Sequence, residues 1–347
     1  MTVNVGLVGL VYWGPNLLRV LSGMADVGVR WMCDLDPDRL GHFERLYPSV
    51  KATAHCEDLF EDPRLDAVLI ATPVFTHFDL ASRSLAAGKH TFVEKPLAAS
   101  SEDADELLGL ADEEGLVLMC GHTFIYSPPV RAVKGLLDGG ELGEVFFISS
   151  SRVNLGLHQP DVSVIWDLGP HDFSILRYWL DEMPSSISAV GRDSVVEGIP
   201  DVAFVTLRFP SGTLVNVEMS WLAPSKLRRT VVVGSKKMVV YDDSSTEPVR
   251  VFDHGVVYED PTTFGEYQLS YRTGDIVSPH VDSAEPLAVQ LGDFVNAVNT
   301  ETPPPGHGEI CRDVVRLIEA AEESLQDGGA PVSIGSGRFQ HPVELTR

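Results

Sequence analysis

Basic residues are scarce in this chain. Lysine and arginine number 26 against 50 aspartates and glutamates in 347 residues, a formal charge of −24. That balance works against nucleic acid or an anionic membrane surface as a bulk partner. Cysteine is scarce as well. Cys33, Cys56, Cys120 and Cys311 are scattered, with no CxxC pair. Neither a zinc site nor a disulfide framework is therefore expected, and no metal is assigned. Long apolar runs are missing too, since none reaches the ~18 residues that cross a bilayer. The start shows no basic stretch with a cleavage pattern, so the cytoplasm is the expected location and no membrane partner is expected.

What remains is the composition of an ordinary globular protein, 44% hydrophobic. The length exceeds what one core usually supports, so two domains are expected, residues 1–122 and 123–347.

The first part alternates strands with helices. Val3 to Gly9 reads as a buried strand, a helix follows from about Pro15, and Val27 to Cys33 reads as a second strand. Further strands are expected over Ala52–Leu59 (with a turn), Leu65–Ala71, His90–Val93 and Val117–Cys120. Helices from Thr76 to Gly88 and from Ser101 to Glu114 lie between them. This alternation predicts an α/β fold, a doubly wound parallel sheet of Rossmann type.

Gly9-Leu10-Val11-Tyr12-Trp13-Gly14 has the frame of a dinucleotide fingerprint at the first strand–helix turn. Gly9 serves the tight turn and Gly14 the close helix packing. Val11 stands where a second glycine normally lets the backbone approach a pyrophosphate, and its branched side chain would crowd the phosphates. Asp34 lies twenty residues after Gly14, at the end of the second strand. A carboxylate there accepts from a ribose 2′-hydroxyl and repels a 2′-phosphate, which favours NAD over NADP.

The second part is patterned differently. Glu144–Val153, Ile187–Arg192, Val202–Phe209, Thr213–Trp221, Thr230–Val233, Met238–Tyr241, Val249–Phe252 and Val256–Tyr258 read as a run of hairpins, hence a large, open, mainly antiparallel sheet. Two amphipathic helices follow, carrying Leu287 to Val298 and Ile310 to Leu325.

Two stretches carry chemistry. Thr91-Phe92-Val93-Glu94-Lys95-Pro96 is a strand that must stop at its proline. Strand ends are where ligands bind in open α/β sheets, so Thr72, Lys95 and His122 are expected to share one rim with Gly9 and Asp34. In Trp166-Asp167-Leu168-Gly169-Pro170-His171-Asp172, Asp167 and His171 stand one helical turn apart, with Pro170 expected in the first turn. A carboxylate so placed can orient an imidazole.

With Glu94-Lys95-Pro96, Gly121-His122, Ala71-Thr72-Pro73 and Asp167 to Asp172 in these positions, the chain resembles the Gfo/Idh/MocA oxidoreductases over nearly its whole length. The resemblance implies a Rossmann domain and a C-terminal α+β domain whose open sheet serves a homodimer or homotetramer. It also implies NAD-dependent hydride transfer at a secondary alcohol or ketone of a sugar. Tyr12 to Asn16, Gly169 to Asp172 and Tyr271 to Asp275 resemble the branch acting on nucleotide sugars or aminosugars. By position, Lys95 or His171 moves the proton, and Asp167 orients His171 or touches a substrate hydroxyl. Glu94 contacts the nicotinamide ribose, and Gly9, Val11, Tyr12, Trp13, Gly14, Asp34, Thr72 and His77 line the cofactor cleft. Arg152, Asn154, His158, Arg272 and Asp275 are expected on or near loops facing the cleft, as substrate contacts. Two other functions use the same fold, an NAD-responsive binding protein without catalysis and a redox-neutral, NAD-dependent glycosidase.

Overall fold

The computed structural model describes residues 2–156, 162–258, 269–304 and 307–335. The chain first builds β1 (Val3–Val8), α1 (Gly14–Gly23), β2 (Val27–Cys33), α2 (Pro37–Leu46), β3 (Lys51–Thr53) and α3 (Glu57–Phe60). It continues through β4 (Ala67–Ile70), α4 (His77–Ala86), β5 (His90–Val93), α5 (Ser101–Glu114) and β6 (Leu118–Cys120). These strands form one parallel sheet in the order β3-β2-β1-β4-β5-β6. Both its faces are covered, which is why Val5, Leu7, Val68, Leu69 and Phe92 are wholly buried and the strands read as unbroken apolar runs. The strand order reverses between β1 and β4, and the carboxyl ends of β1, β2, β4, β5 and β6 meet at that crevice. The short strand and turn expected over Ala52–Leu59 are the three-residue β3 and the single turn α3.

A second sheet follows α6 (Pro128–Asp138). Its strands are β7 (Val145–Leu155), β8 (Ser186–Arg192), β9 (Val202–Arg208), β10 (Leu214–Ser220), β11 (Leu222–Gly234), β12 (Met238–Asp242), β13 (Val249–Tyr258), β14 (Leu269–Val277) and β15 (Val332–Ser333). Their order is β14-β13-β12-β11-β7-β10-β9-β8-β15. The sheet is antiparallel except that β10 runs parallel to β7. The hairpin expected at Asp253-His254-Gly255 is absent. These residues lie within β13, where the register against β14 shifts between Phe252 and His254, so the turn-forming residues make an irregularity rather than a reversal.

Helix α7 (Val164–Leu180) packs on this sheet, α8 (Pro286–Thr300) turns back onto α1 and β1, and α9 (His307–Gln326) lies between the sheets, against α7 and β8 on one side and α5 and β6 on the other. Ser163 caps α7 by accepting from the N–H groups of Ile165 and Trp166. Pro170 therefore lies inside the helix and not in its first turn as expected. Phe294 of α8 meets Phe92 of β5 edge-to-face at 5.6 Å, a contact that adds about 1 kcal/mol to the burial of both rings. The return of α8 and α9 fixes the second sheet against the carboxyl ends of β5 and β6.

Candidate active site

At the β1 end of the crevice the turn is built as the fingerprint frame requires. Gly9 has φ +94, and a Cβ there would stand 2.5 Å from the Ala71 carbonyl oxygen. A Cβ on Gly14 would lie 1.9 Å from the Gly9 oxygen. Val11, Tyr12 and Trp13 carry the chain between them, the first two exposed. Among the described residues only Asp181 and Glu301 are non-glycines with positive φ, so the turn makes no backbone demand that Val11 cannot meet. Helix α1 has no acidic residue in its first turn, which leaves its N-terminal N–H groups for an anion.

Asp34 is 8% exposed. Its carboxylate accepts from the Leu10 N–H at 2.8 Å, the Asp36 N–H at 3.0 Å and the Arg39 guanidinium at 2.6 Å. The strand end and the fingerprint turn are thereby joined by one side chain. Arg39 was not anticipated from the sequence. It also pairs with Asp36, and its position beside Asp34 could have been guessed from the Asp36 cap of α2.

The other end of the crevice lies at β5. Lys95, followed by a cis peptide to Pro96, reaches across to α7. Its ammonium donates to the Asp167 carbonyl oxygen at 2.9 Å and lies 3.4 Å from Asp167 Oδ1. The other carboxylate oxygen accepts from Trp221 Nε1 at 3.0 Å. Asp167 is thus engaged by Lys95 and Trp221. This corrects the expectation that it orients His171, whose Nδ1 is buried without a hydrogen-bond partner. The residues are one turn apart, yet the carboxylate turns toward the first sheet, where a cation attracts it.

His171 packs edge-on against Phe124, centroids 4.9 Å apart. Burial, followed by the nearby charges of Lys95, Arg152 and Arg228, holds its pKa well below the ordinary imidazole value. The ring is neutral at pH 7. Phe124, Arg228 and Trp221 carry no motif, and nothing in the sequence marks them.

Glu94 is 8% exposed. Its Oε2 accepts only a long 3.3 Å bond from the Lys95 N–H, and Oε1 has no hydrogen-bond partner. A Cβ on Gly121 would come within 2.7 Å of Oε2, so this glycine makes room for the carboxyl group. Burial pushes the Glu94 pKa up to about 8, against the opposing pull of the Lys95 charge.

Other expected residues fall elsewhere. His77 is 1% exposed, and its ring nitrogens face the carbonyl oxygens of Pro96 at 2.9 Å and Thr72 at 2.8 Å. It ties the two strand-end loops together from behind instead of lining the cleft. Thr72 bonds Thr76 at 2.7 Å beside Gly9. Arg152 is not on a loop. It is buried in β7, ion-paired with Asp172, and lies 4.5 Å from the Phe124 ring centre. Asn154 is half-buried near the end of β7. Arg272 lies on β14, bonded to Asp253 and to the Lys236 carbonyl at the β11–β12 turn. That turn is at the opposite end of the sheet from Asp167, and Asp275 lies exposed on the same strand. His158 lies outside the described residues. Cys120 and His122 at the end of β6 and Cys311 of α9, distant in sequence from them, converge in the fold.

Residues 3–122 match the oxidoreductase family described by its NAD-binding Rossmann fold, and residues 130–240 match the GFO/IDH/MocA C-terminal domain. Myo-inositol 2-dehydrogenase of Thermotoga maritima is 26% identical, covering 94% of this chain and 97% of its own. UDP-N-acetylglucosamine 3-dehydrogenase of Acidithiobacillus ferrooxidans is 28% identical, covering 75% and 76%. The fold is shared with GenD2 from gentamicin A biosynthesis, solved in complex with NAD, at a TM-score of 0.82 and 24% identity over 96% of this chain and 97% of that one. The Gly9–Gly14 cradle and the Asp34 carboxylate fit such a dinucleotide. With both halves matched in order on the fold they require, this chain belongs to the GFO/IDH/MocA family of NAD-dependent oxidoreductases.

Proposed function

We propose that the chain oxidises or reduces a secondary alcohol or ketone of a sugar, most specifically a nucleotide-linked sugar or an aminosugar. The observation that carries this reading is the Lys95 ammonium crossing from the end of β5 to Asp167 of α7, with a neutral His171 beside it. NAD, held along Gly9–Gly14 and Asp34, supplies the hydride acceptor. Two of the three Lys95 donors face Asp167, and the third is available to the carbinol oxygen. There it stabilises the negative charge that builds on the oxygen as the hydroxyl proton leaves, a charge that forms the carbonyl as hydride departs from the carbon. His171 receives the hydroxyl proton through a ring nitrogen and returns it to solvent. Reduction runs the same steps backwards. Glu94, whose pKa burial pushes up to about 8, would contact the nicotinamide ribose, and Trp221 and Arg152 keep Asp167 and the Phe124–His171 pair in place.

Replacement Lys95→Ala tests the assignment. Turnover with a panel of nucleotide sugars, cyclitols and aminosugars should fall by about 10³-fold, while NAD binding followed by calorimetry stays within a few-fold. Undiminished turnover overturns it.

We further propose a homo-oligomer built on the second sheet. Phe147, Leu214, Phe204 and Val190 lie on one face by register and are each more than 40% exposed. An apolar face of that kind is covered by a second copy in a stable assembly. Phe204→Glu should halve or quarter the mass measured by light scattering, and an unchanged mass would reject the interface.

A further inference from the structure

Where β6 meets α9, four side chains that the hydride-transfer chemistry does not use are packed together. Cys120, His122, Cys311 and His307 are 0%, 0%, 1% and 3% exposed. The ligand atoms of Cys120, His122 and Cys311 all lie within 4.8 Å of one another. Both cysteines are free thiols. Neither ring nitrogen of His122 has a hydrogen-bond partner, which is rare for a wholly buried imidazole.

The frame around these atoms is rigid. The Cys120 N–H donates to His307 Nε2 at 2.9 Å, and the Cys120 carbonyl accepts from Gln290 Nε2 at 3.0 Å. Gln290 Oε1 accepts in turn from the Thr123 hydroxyl at 2.9 Å. Because His307 Nε2 accepts, its proton sits on Nδ1. His307 holds the end of β6, and the Cys311 sulfur lies within reach of Cys120, His122 and His307 together.

We propose that Cys120, His122 and Cys311 bind one borderline or soft metal cation, with zinc(II) as the type. Two sulfurs and one imidazole form a donor set that such cations prefer and that calcium and magnesium do not. Three protein donors leave one tetrahedral position for water. Binding replaces two S–H bonds by two S–metal bonds, and two protons pass to solvent. The cation ties β6 of the first sheet to α9 and gives His122 the partner it lacks. A disulfide between the two sulfurs would leave His122 unsatisfied.

The test uses full-length protein, reduced and freed of metal, titrated with cobalt(II) and then zinc(II). One equivalent of cobalt should bind and produce a thiolate-to-cobalt charge-transfer band, and zinc should abolish the band. Cys311→Ala and His122→Phe should each weaken binding by at least ~100-fold, with far-ultraviolet dichroism and NAD affinity confirming that they fold. Cys56→Ser, at a half-buried thiol outside the cluster, should leave the band intact. Zinc should raise the melting temperature of the wild type and not that of Cys311→Ala. No stoichiometric cobalt binding by the reduced wild type overturns the proposal. So does an unchanged band in a folded Cys311→Ala or His122→Phe, or a Cys120–Cys311 disulfide in metal-free protein kept under reductant.

Discussion

The two ends of the crevice each hold one carboxyl group at a strand terminus, and each is 8% exposed, yet they are held in opposite ways. Asp34 gathers two backbone N–H groups and a guanidinium. Glu94 gathers one long bond and leaves an oxygen without a partner. Burial alone does not decide the state of a carboxyl group; the donors that travel with it do. On the proposed reading, Asp34 would meet the adenosine ribose, and Glu94, whose pKa burial pushes up to about 8, would face the nicotinamide ribose beside Lys95.

The comparison can be broken most severely where the backbone is tightest. Gly14→Ala drives a methyl group into the Gly9 carbonyl. NAD affinity should fall more than ~100-fold, with a loss of about 1–3 kcal/mol in urea unfolding. Removing the Asp34 side chain's hydrogen bonds comes next. Asp34→Ser should weaken NAD by about 10- to 100-fold, the worth of one charge-assisted hydrogen bond. It should also improve NADP, because the Arg39 freed from Asp34 can meet a 2′-phosphate; the ratio of kcat/KM for the two cofactors measures this.

The Glu94 effect is smaller and has a definite sign. Its folded pKa, about 8, lies above the ordinary 4.5. The native state therefore holds this proton more tightly than the unfolded chain does. Its contribution to stability is complete below pH 4.5 and is lost as pH rises through about 8. Glu94→Gln should flatten that decline, by about 1 kcal/mol or more between pH 5 and 8 in urea midpoints. Smallest is Trp221→Phe, which releases one Asp167 oxygen. A drop in kcat of about 3- to 10-fold, with NAD affinity unchanged, would place Trp221 in support of Lys95 through Asp167.

The adenosine end was legible because its signals are local. Gly9, Gly14 and Asp34 are spaced along one strand–helix–strand unit, and the turn they frame is built as that spacing requires. Lys95 was legible for a related reason: a proline ends its strand at the rim. The second sheet was legible only as strands. Its parallel β7–β10 pair joins segments distant in sequence, and Asp253-His254-Gly255 has the chemistry of a turn without making one. The partners of Asp167 were misjudged because helical spacing says which residues share a face, not which charge across the crevice draws a carboxylate away. The thiol cluster lay beyond reading, since it depends on α9 returning to β6.

The position of β7 has a consequence for how the chain assembles. It is the earliest strand of its sheet, yet it lies between β10 and β11. The ribbons β8–β9–β10 and β11–β12–β13 can each zip locally, but they share no edge except through β7. Sheet closure must therefore wait for a strand made long before its neighbours, at the loop-closure cost that slows non-local pairing. On a ribosome, β7 would emerge with both its edges bare.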